Sequence, residues 1–269
     1  MMLLSPDARA ERRLAICLAL IAGYVDAYGL IALGVYVSFM SGNTTQTGSL
    51  TGQGNVAAAL PSALAIVFFL FGSFAGTWLT HSGLRHSRRL LFGAVSTLLA
   101  VIIGVTQLGW LNAEVGIAAL SLAMGLMNTT LSHVGAEPVS LTFVTGTLNK
   151  LGHHLALSVW RAPLADAQGP WDTHLRRAGL LASVWAGFLT GAVLSAAAIG
   201  YFGVWVLLAP VLILLALALF SSPEYGHPQH AGEDSLAQRA AHLGTGPGGD
   251  HERHDAEDAA ENRPGMGRR

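Results

Sequence analysis

Apolar residues run almost unbroken through six stretches of this chain, roughly 14–34, 57–80, 90–110, 114–133, 178–199 and 201–220. A helix rising about 1.5 Å per residue needs about 20 such residues to cross a hydrocarbon layer about 30 Å thick. The pattern predicts an all-α polytopic membrane protein with about six transmembrane helices. Between the first two stretches lies SFMSGNTTQTG (38–48), where almost every residue is a hydroxyl, an amide or a glycine. Arg12 and Arg13 precede the first stretch, as in a signal peptide. No small-x-small cleavage site follows and the apolar pattern continues past Gly34, so it is read as a retained span.

Composition agrees with a lipid-solvated body. Charged residues make up 12% of the chain, half of the roughly 25% usual in soluble domains, and the mean hydropathy is +0.48. Residues 1–222 hold ten Lys/Arg and seven Asp/Glu, whereas residues 223–269 hold five and nine. A mildly basic apolar body with an acidic tail excludes a nucleic-acid binder. All ten cations of the body fall at Arg9, Arg12, Arg13, at Arg85, Arg88, Arg89, and at Lys150, Arg161, Arg176, Arg177. Six spans with an internal N-terminus put every one of them on the cytoplasmic side, with both termini. The expected organisation is an N-terminal segment 1–13, a membrane domain 14–222 and a disordered cytoplasmic tail 223–269. The tail's histidines, as in HERHDAED, read as solvated residues rather than a metal patch. The single cysteine, Cys17, excludes an intrachain disulfide and reads as a small core residue.

The polar run has a counterpart. GYVDAYG (23–29) followed by SFMSGNTTQTG (38–48) matches GLMNTTL (125–131) followed by TFVTGTLNKLG (142–152). Gly23 aligns with Gly125, Asp26 with Asn128, and Phe39, Ser41, Gly42 and Gly48 with Phe143, Thr145, Gly146 and Gly152. Each half then continues into a GxxxG span, GSFAG (72–76) and GFLTG (187–191). Halves of about 14–110 and 114–220 hold three spans each, an odd number, so they form an inverted 3+3 repeat. Segments 35–50 and 139–152 are expected to be broken or re-entrant, entering from opposite faces; the competing reading is a polar external loop with a helix cap at Ser41.

These same residues resemble the YoaK family of bacterial membrane proteins, a domain of unknown function with a Gly-x-x-Asp-Ala start, a Thr/Ser-Gly-Asn element and a later Thr-Gly-Thr-Leu element. The resemblance covers about 13–222, with Ser41 where a threonine is usual. It implies a multi-span protein of the bacterial inner membrane and no particular activity.

Asp26 is the only acid inside a span, about 18 Å along it at about 1.5 Å per residue. Acids at that depth are functional candidates by default, and a proton-coupling carboxylate needs such a low-dielectric setting. The alternative is a structural carboxylate bonded to backbone or hydroxyls. Asn128 shares a helix face with Ser121, Gly125 and Ser132. The candidate solute or ion site comprises Asp26, Asn128, Ser41, Asn43, Thr44, Thr145, Thr147 and Tyr24, with Tyr28 on the same face as Tyr24. Glu137 paired with Lys150, His153 or His154 suggests a gate, although a surface ion pair is the simpler reading. The GxxxG glycines read as packing elements, and Trp78, Trp110, Trp185 and Tyr201 as interfacial anchors.

A secondary transporter or carrier of a small polar solute, with a proton as candidate coupling ion, fits these features best. It needs no cofactor and no metal, and its partners are the bilayer and the solute; a small homo-oligomer is compatible with it. A non-transporting scaffold or receptor component is the alternative, with its polar stripes packed dry against each other. An intramembrane serine hydrolase fits poorly, because Ser41 lacks the Gly-x-Ser-Gly setting and His133 sits at the wrong end; the chain is not expected to be an enzyme.

Overall fold

The computed structural model describes residues 6–82, 84, 86–110, 112–131, 133, 134, 137, 138, 142–164, 167, 169 and 171–220. The acidic tail, Arg85, Ser132 and residues 139–141 of the second matched segment lie outside them. The described chain runs α1 (Pro6–Leu33), α2 (Met40–Gly52), α3 (Val56–His81), α4 (Ser87–Gln107), α5 (Ala113–Asn128), a two-residue antiparallel pairing of β1 (His133–Val134) with β2 (Glu137–Pro138), α6 (Val144–Val159), α7 (His174–Phe202), a 3₁₀ turn (Gly203–Leu207) and α8 (Leu208–Phe220). Side-chain oxygens start three of the helices. Asn55 accepts from Ala58 N at 3.3 Å, Asn112 from Val115 N at 2.8 Å, and Thr173 from Arg176 N at 3.3 Å.

Arg9–Leu33, α3, α4 and the run His174–Phe220 are long and apolar enough to cross a membrane. α5 is apolar but has 16 residues, ending at Asn128 rather than near 133, and the last predicted stretch is a five-residue 3₁₀ turn plus the 13 residues of α8. The outer faces of α3 and α7 expose Leu70, Phe71, Phe74, Trp78, Leu189 and Val193. The interior instead buries Asp26, Asn43, Ser62, Ser121 and Ser195. An apolar exterior around small and polar interior groups suits hydrocarbon as the solvent.

Two helix crossings hold the interior together, and both are built the same way. A methyl group at Gly23 would strike the carbonyl of Phe188, and one at Gly191 the carbonyl of Leu20. One at Gly125 would strike the carbonyl of Phe69, and one at Gly72 the carbonyl of Leu122. Each glycine thus lies against the carbonyl three residues before the glycine opposite. Helices approach this closely only where no side chain intervenes. By contact Gly72 answers to Gly191, four residues beyond the Gly187 that the GxxxG alignment suggests. Gly187 faces Ile16 while Gly191 faces Leu20, and Gly72 faces Leu122 while Gly76 faces Thr129. Residue numbers rise together in each pair, so α1 runs parallel to α7 and α3 parallel to α5.

The last turns of α1, α4 and α7 and the start of α5 line one open cleft of about 690 Å³, which marks the first end of the bundle. The opposite, second end collects the starts of α1, α4 and α7, and with them Arg9, Arg12, Arg13, Arg88, Arg89, Arg176 and Arg177. Arg12 reaches from α1 to Ser183 Oγ on α7 at 3.3 Å. Apolar packing fills the space between, with Leu18, Phe92, Leu99, Leu120, Met124 and Leu214 buried in one cluster, and Ser96 Oγ ties α4 to Val211 O of α8 at 3.1 Å.

Gly72→Leu or Gly191→Leu should force these crossings apart and destabilise the fold by about 1–3 kcal/mol or more. Gly104→Leu, whose site has open space around it, should cost far less. Thermal unfolding in detergent measures the difference.

Candidate functional site

Gly34 closes α1 in the left-handed region (φ 73°), a conformation glycine adopts without strain. The chain then turns back along the helix it has just left. Val35 N donates to Gly29 O at 3.4 Å, Val37 packs on Gly29, and Val37 N and Ser38 N reach Oδ1 of Asp26 at 2.9 and 2.8 Å. Two residues later α2 begins. Residues 34–39 therefore descend from the first end to the level of Asp26, about 10 Å down at about 1.5 Å per residue of α1, and α2 leads back out to the start of α3. The loop with a cap at Ser41 is not what forms. The residue at the start of α2 is Phe39, with no side-chain cap.

Asp26 is 5% exposed, so it does for the return segment what a capping residue does for a helix start. Its single oxygen satisfies two backbone N–H groups that apolar surroundings would otherwise leave bare, at about 1–3 kcal/mol each. Asn43, fully buried on the inner face of α2, closes the turn from the other side: Nδ2 donates to Tyr36 O at 2.6 Å. Among the described residues its Oδ1 has no hydrogen-bond partner, nor has the buried hydroxyl of Thr47.

The same build appears after α5. Thr142 Oγ1 donates to Asn128 Oδ1 at 3.3 Å, and α6 begins two residues on, behind Phe143. Phe39 and Phe143 share one backbone geometry (φ −90°, ψ 75° and φ −91°, ψ 70°), and their rings lie over Gly42 and Gly146, where any side chain would collide with them. Phe-x-x-Gly is thus the local device that starts both short helices.

The other predicted residues divide by face. Ser41, Thr44 and Thr145 are exposed, on the sides of α2 and α6 that point away from the interior. Thr44 and Thr45 turn their hydroxyls back to Met40 O and Ser41 O at 2.8 and 3.1 Å, which blunts that polarity. Ser41 lines a groove of about 520 Å³ with Tyr36, Phe39 and Gln46. Thr147 is buried and donates to Phe143 O at 3.0 Å. Tyr24 and Tyr28 are both buried in the core cluster, and Tyr28 also lines the cleft at the first end. Asp26 and Asn128 are not brought together. Asp26 lies seven residues from the first end and Asn128 closes α5 toward the second, about 12 Å apart along the bundle at about 1.5 Å per residue. Each makes its bonds to its own return segment.

At the second end Glu137 is 4% exposed, which corrects the expectation of a surface pair. Lys150 Nζ stands 3.3 Å from its Oε1, and His154 Nε2 and Arg177 Nη1 stand 3.3 and 3.7 Å from its Oε2. Arg177 also forks onto Asp172 at 3.1 and 2.8 Å. His154 Nδ1 faces His174 Nδ1 at 2.9 Å. Nothing in the sequence singles out His174 or Asp172, because WDTHLRR looks like an ordinary charged helix start. Only the fold lays it beside α6. Burial holds His154 below the usual histidine range, against the opposing pull of the Glu137 carboxylate.

Asp26→Ala should strip two buried N–H groups of their acceptor and cost about 2–6 kcal/mol. Asp26→Asn keeps Oδ1 and should cost much less. Thermal midpoints of the full chain in detergent separate the two.

The family described as "Protein of unknown function (DUF1275)" matches residues 14–220. The chain is 33% identical over 223 residues to the UPF0700 transmembrane protein RA0705 of Rhizobium meliloti (strain 1021), covering 79% of its own length and 90% of that relative. No solved structure matches it. The matched region contains both return segments, both glycine crossings and the Glu137 cluster, and it ends with α8. This helical chain, similar to a transmembrane relative over most of its length, belongs to the DUF1275 family.

Proposed function

We propose that the chain is a secondary carrier of a small polar solute in the bacterial inner membrane, built from two three-span halves of opposite topology, and not an enzyme. One observation carries this reading. The chain doubles back to Asp26 before starting a short polar helix, and the same Phe-capped build recurs beside Asn128. Irregular backbone at membrane depth is tolerated where protein buries it or where it lines a cavity, and broken helices at a repeat interface are where such carriers hold solute. The parallel pairing of α1 with α7 and of α3 with α5 supports inverted halves. The arginines of the second end support a cytoplasmic position for that end and for both termini.

The cleft at the first end suits an uncharged solute. Thr106, Gln107, Asn112 and the Tyr28 ring line it, and among the described residues no acid, lysine, arginine or histidine does. The positive-inside rule then makes it the external vestibule.

A second reading, a non-transporting membrane component, draws on a different fact. Neither cleft is lined by Asp26, Asn43 or Asn128, and Asp26 spends its Oδ1 on backbone.

The full chain reconstituted in vesicles, screened with uncharged polar solutes under a proton gradient, should give flux above empty vesicles. Asp26→Asn should insert normally and lose the proton-driven part. Undiminished flux in that variant removes Asp26 from coupling, and no flux of any solute by the native chain favours the component reading.

A further inference from the structure

The buried cluster at the second end has a chemistry that the return segments do not need. A carboxylate only accepts, so the 3.3 Å contact between Glu137 Oε2 and His154 Nε2 puts a proton on that nitrogen. Burial pushes His154 toward the neutral ring, in which Nδ1 is a lone pair once Nε2 carries the proton. The partner 2.9 Å away, Nδ1 of His174, must then donate. That leaves Nε2 of His174 without a proton in the neutral ring. This atom is buried, in a residue 7% exposed, and has no hydrogen-bond partner among the described residues. A bare basic nitrogen at the end of an ordered hydrogen-bonded chain is an open proton acceptor.

We infer that Glu137, His154 and His174 form a proton-binding relay, entered at Nε2 of His174. A proton arriving there lets the Nδ1 proton of His174 pass to Nδ1 of His154, and the Nε2 proton of His154 pass to Oε2 of Glu137. Both rings end neutral with their tautomers exchanged, and one proton has been taken up by the carboxylate. Glu137 then carries no charge for Lys150 and Arg177, while Arg177 keeps Asp172. Since Glu137 sits on β2, Lys150 and His154 on α6, and His174 and Arg177 on α7, one proton loosens the joint between three elements.

The other described charged groups near the cluster have different partners or surroundings. On α6 the His153 ring stacks edge-on to His154; on α7 Arg176 is exposed; and from α1, Arg12 turns to Gly179 and Ser183. The inference concerns proton binding and does not rest on the carrier reading. If the chain does carry solute, this relay is a proton site additional to Asp26, at the cytoplasmic end.

Nitrogen-15 imidazole spectra of the full chain in lipid vesicles test it. The two Nδ1 atoms identify themselves by coupling through their shared hydrogen bond, so assignment needs no variant. At neutral pH the spectra should show His174 protonated at Nδ1 and bare at Nε2, and His154 the reverse. On acidification both rings should change at one common midpoint, and Glu137→Gln should lower that midpoint by about one pH unit or more. Protonation of His174 at Nε2 at neutral pH, separate midpoints, or a midpoint indifferent to Glu137→Gln each overturns the relay. If Glu137→Gln does not fold, the native tautomers alone decide.

Discussion

Everything irregular in this fold hangs on one carboxylate oxygen. Oδ1 of Asp26 accepts from Val37 N and Ser38 N, and without it the chain that turns back at Gly34 would carry bare N–H groups among Val25, Val35 and Val37. In water such groups would find solvent; in an apolar interior they would not. The acid therefore makes possible a helix that begins inside the bundle. Asn128 performs a weaker version of the same task, through one hydrogen bond to a threonine hydroxyl, and no full charge is needed there.

The glycine crossings set the geometry within which that works. With α1 drawn onto α7 and α3 onto α5 at backbone contact, the return segments are left beside the two pairs and not within them. Helix pairing and return-segment docking thus use different faces of α1. On α1, Gly23 faces α7 while Asp26, three residues on, turns to the return segment.

Much of this was legible in the sequence because it is local. Apolar runs gave the four long helices, α3 to within a residue at each end, and the recurrence after Asp26 and after Asn128 marked two irregular segments, though not the short helices α2 and α6 that form there. What escaped is whatever depends on two distant segments meeting. The register of Gly72 with Gly191 is set by carbonyl contact and not by the GxxxG spacing. Ser41, Thr44 and Thr145 looked like site residues by composition, but helical periodicity turns them outward while Asn43 and Thr147 turn in. Glu137 looked superficial because its neighbours in sequence are polar. His174, 37 positions on, and Arg177 help bury it.

α2 itself sets an order of events in biogenesis. Its 13 residues, MSGNTTQTGSLTG, are too few and too polar to partition into lipid alone. Membrane insertion machinery would therefore pass α1 and α3 sideways first and leave this stretch at the surface. It can settle only afterwards, by sliding in against α3 once the acid of α1 is in place to receive its leading strand. Maturation of this protein is then a post-insertional step, in which a hydrophilic hairpin is swallowed by helices already embedded.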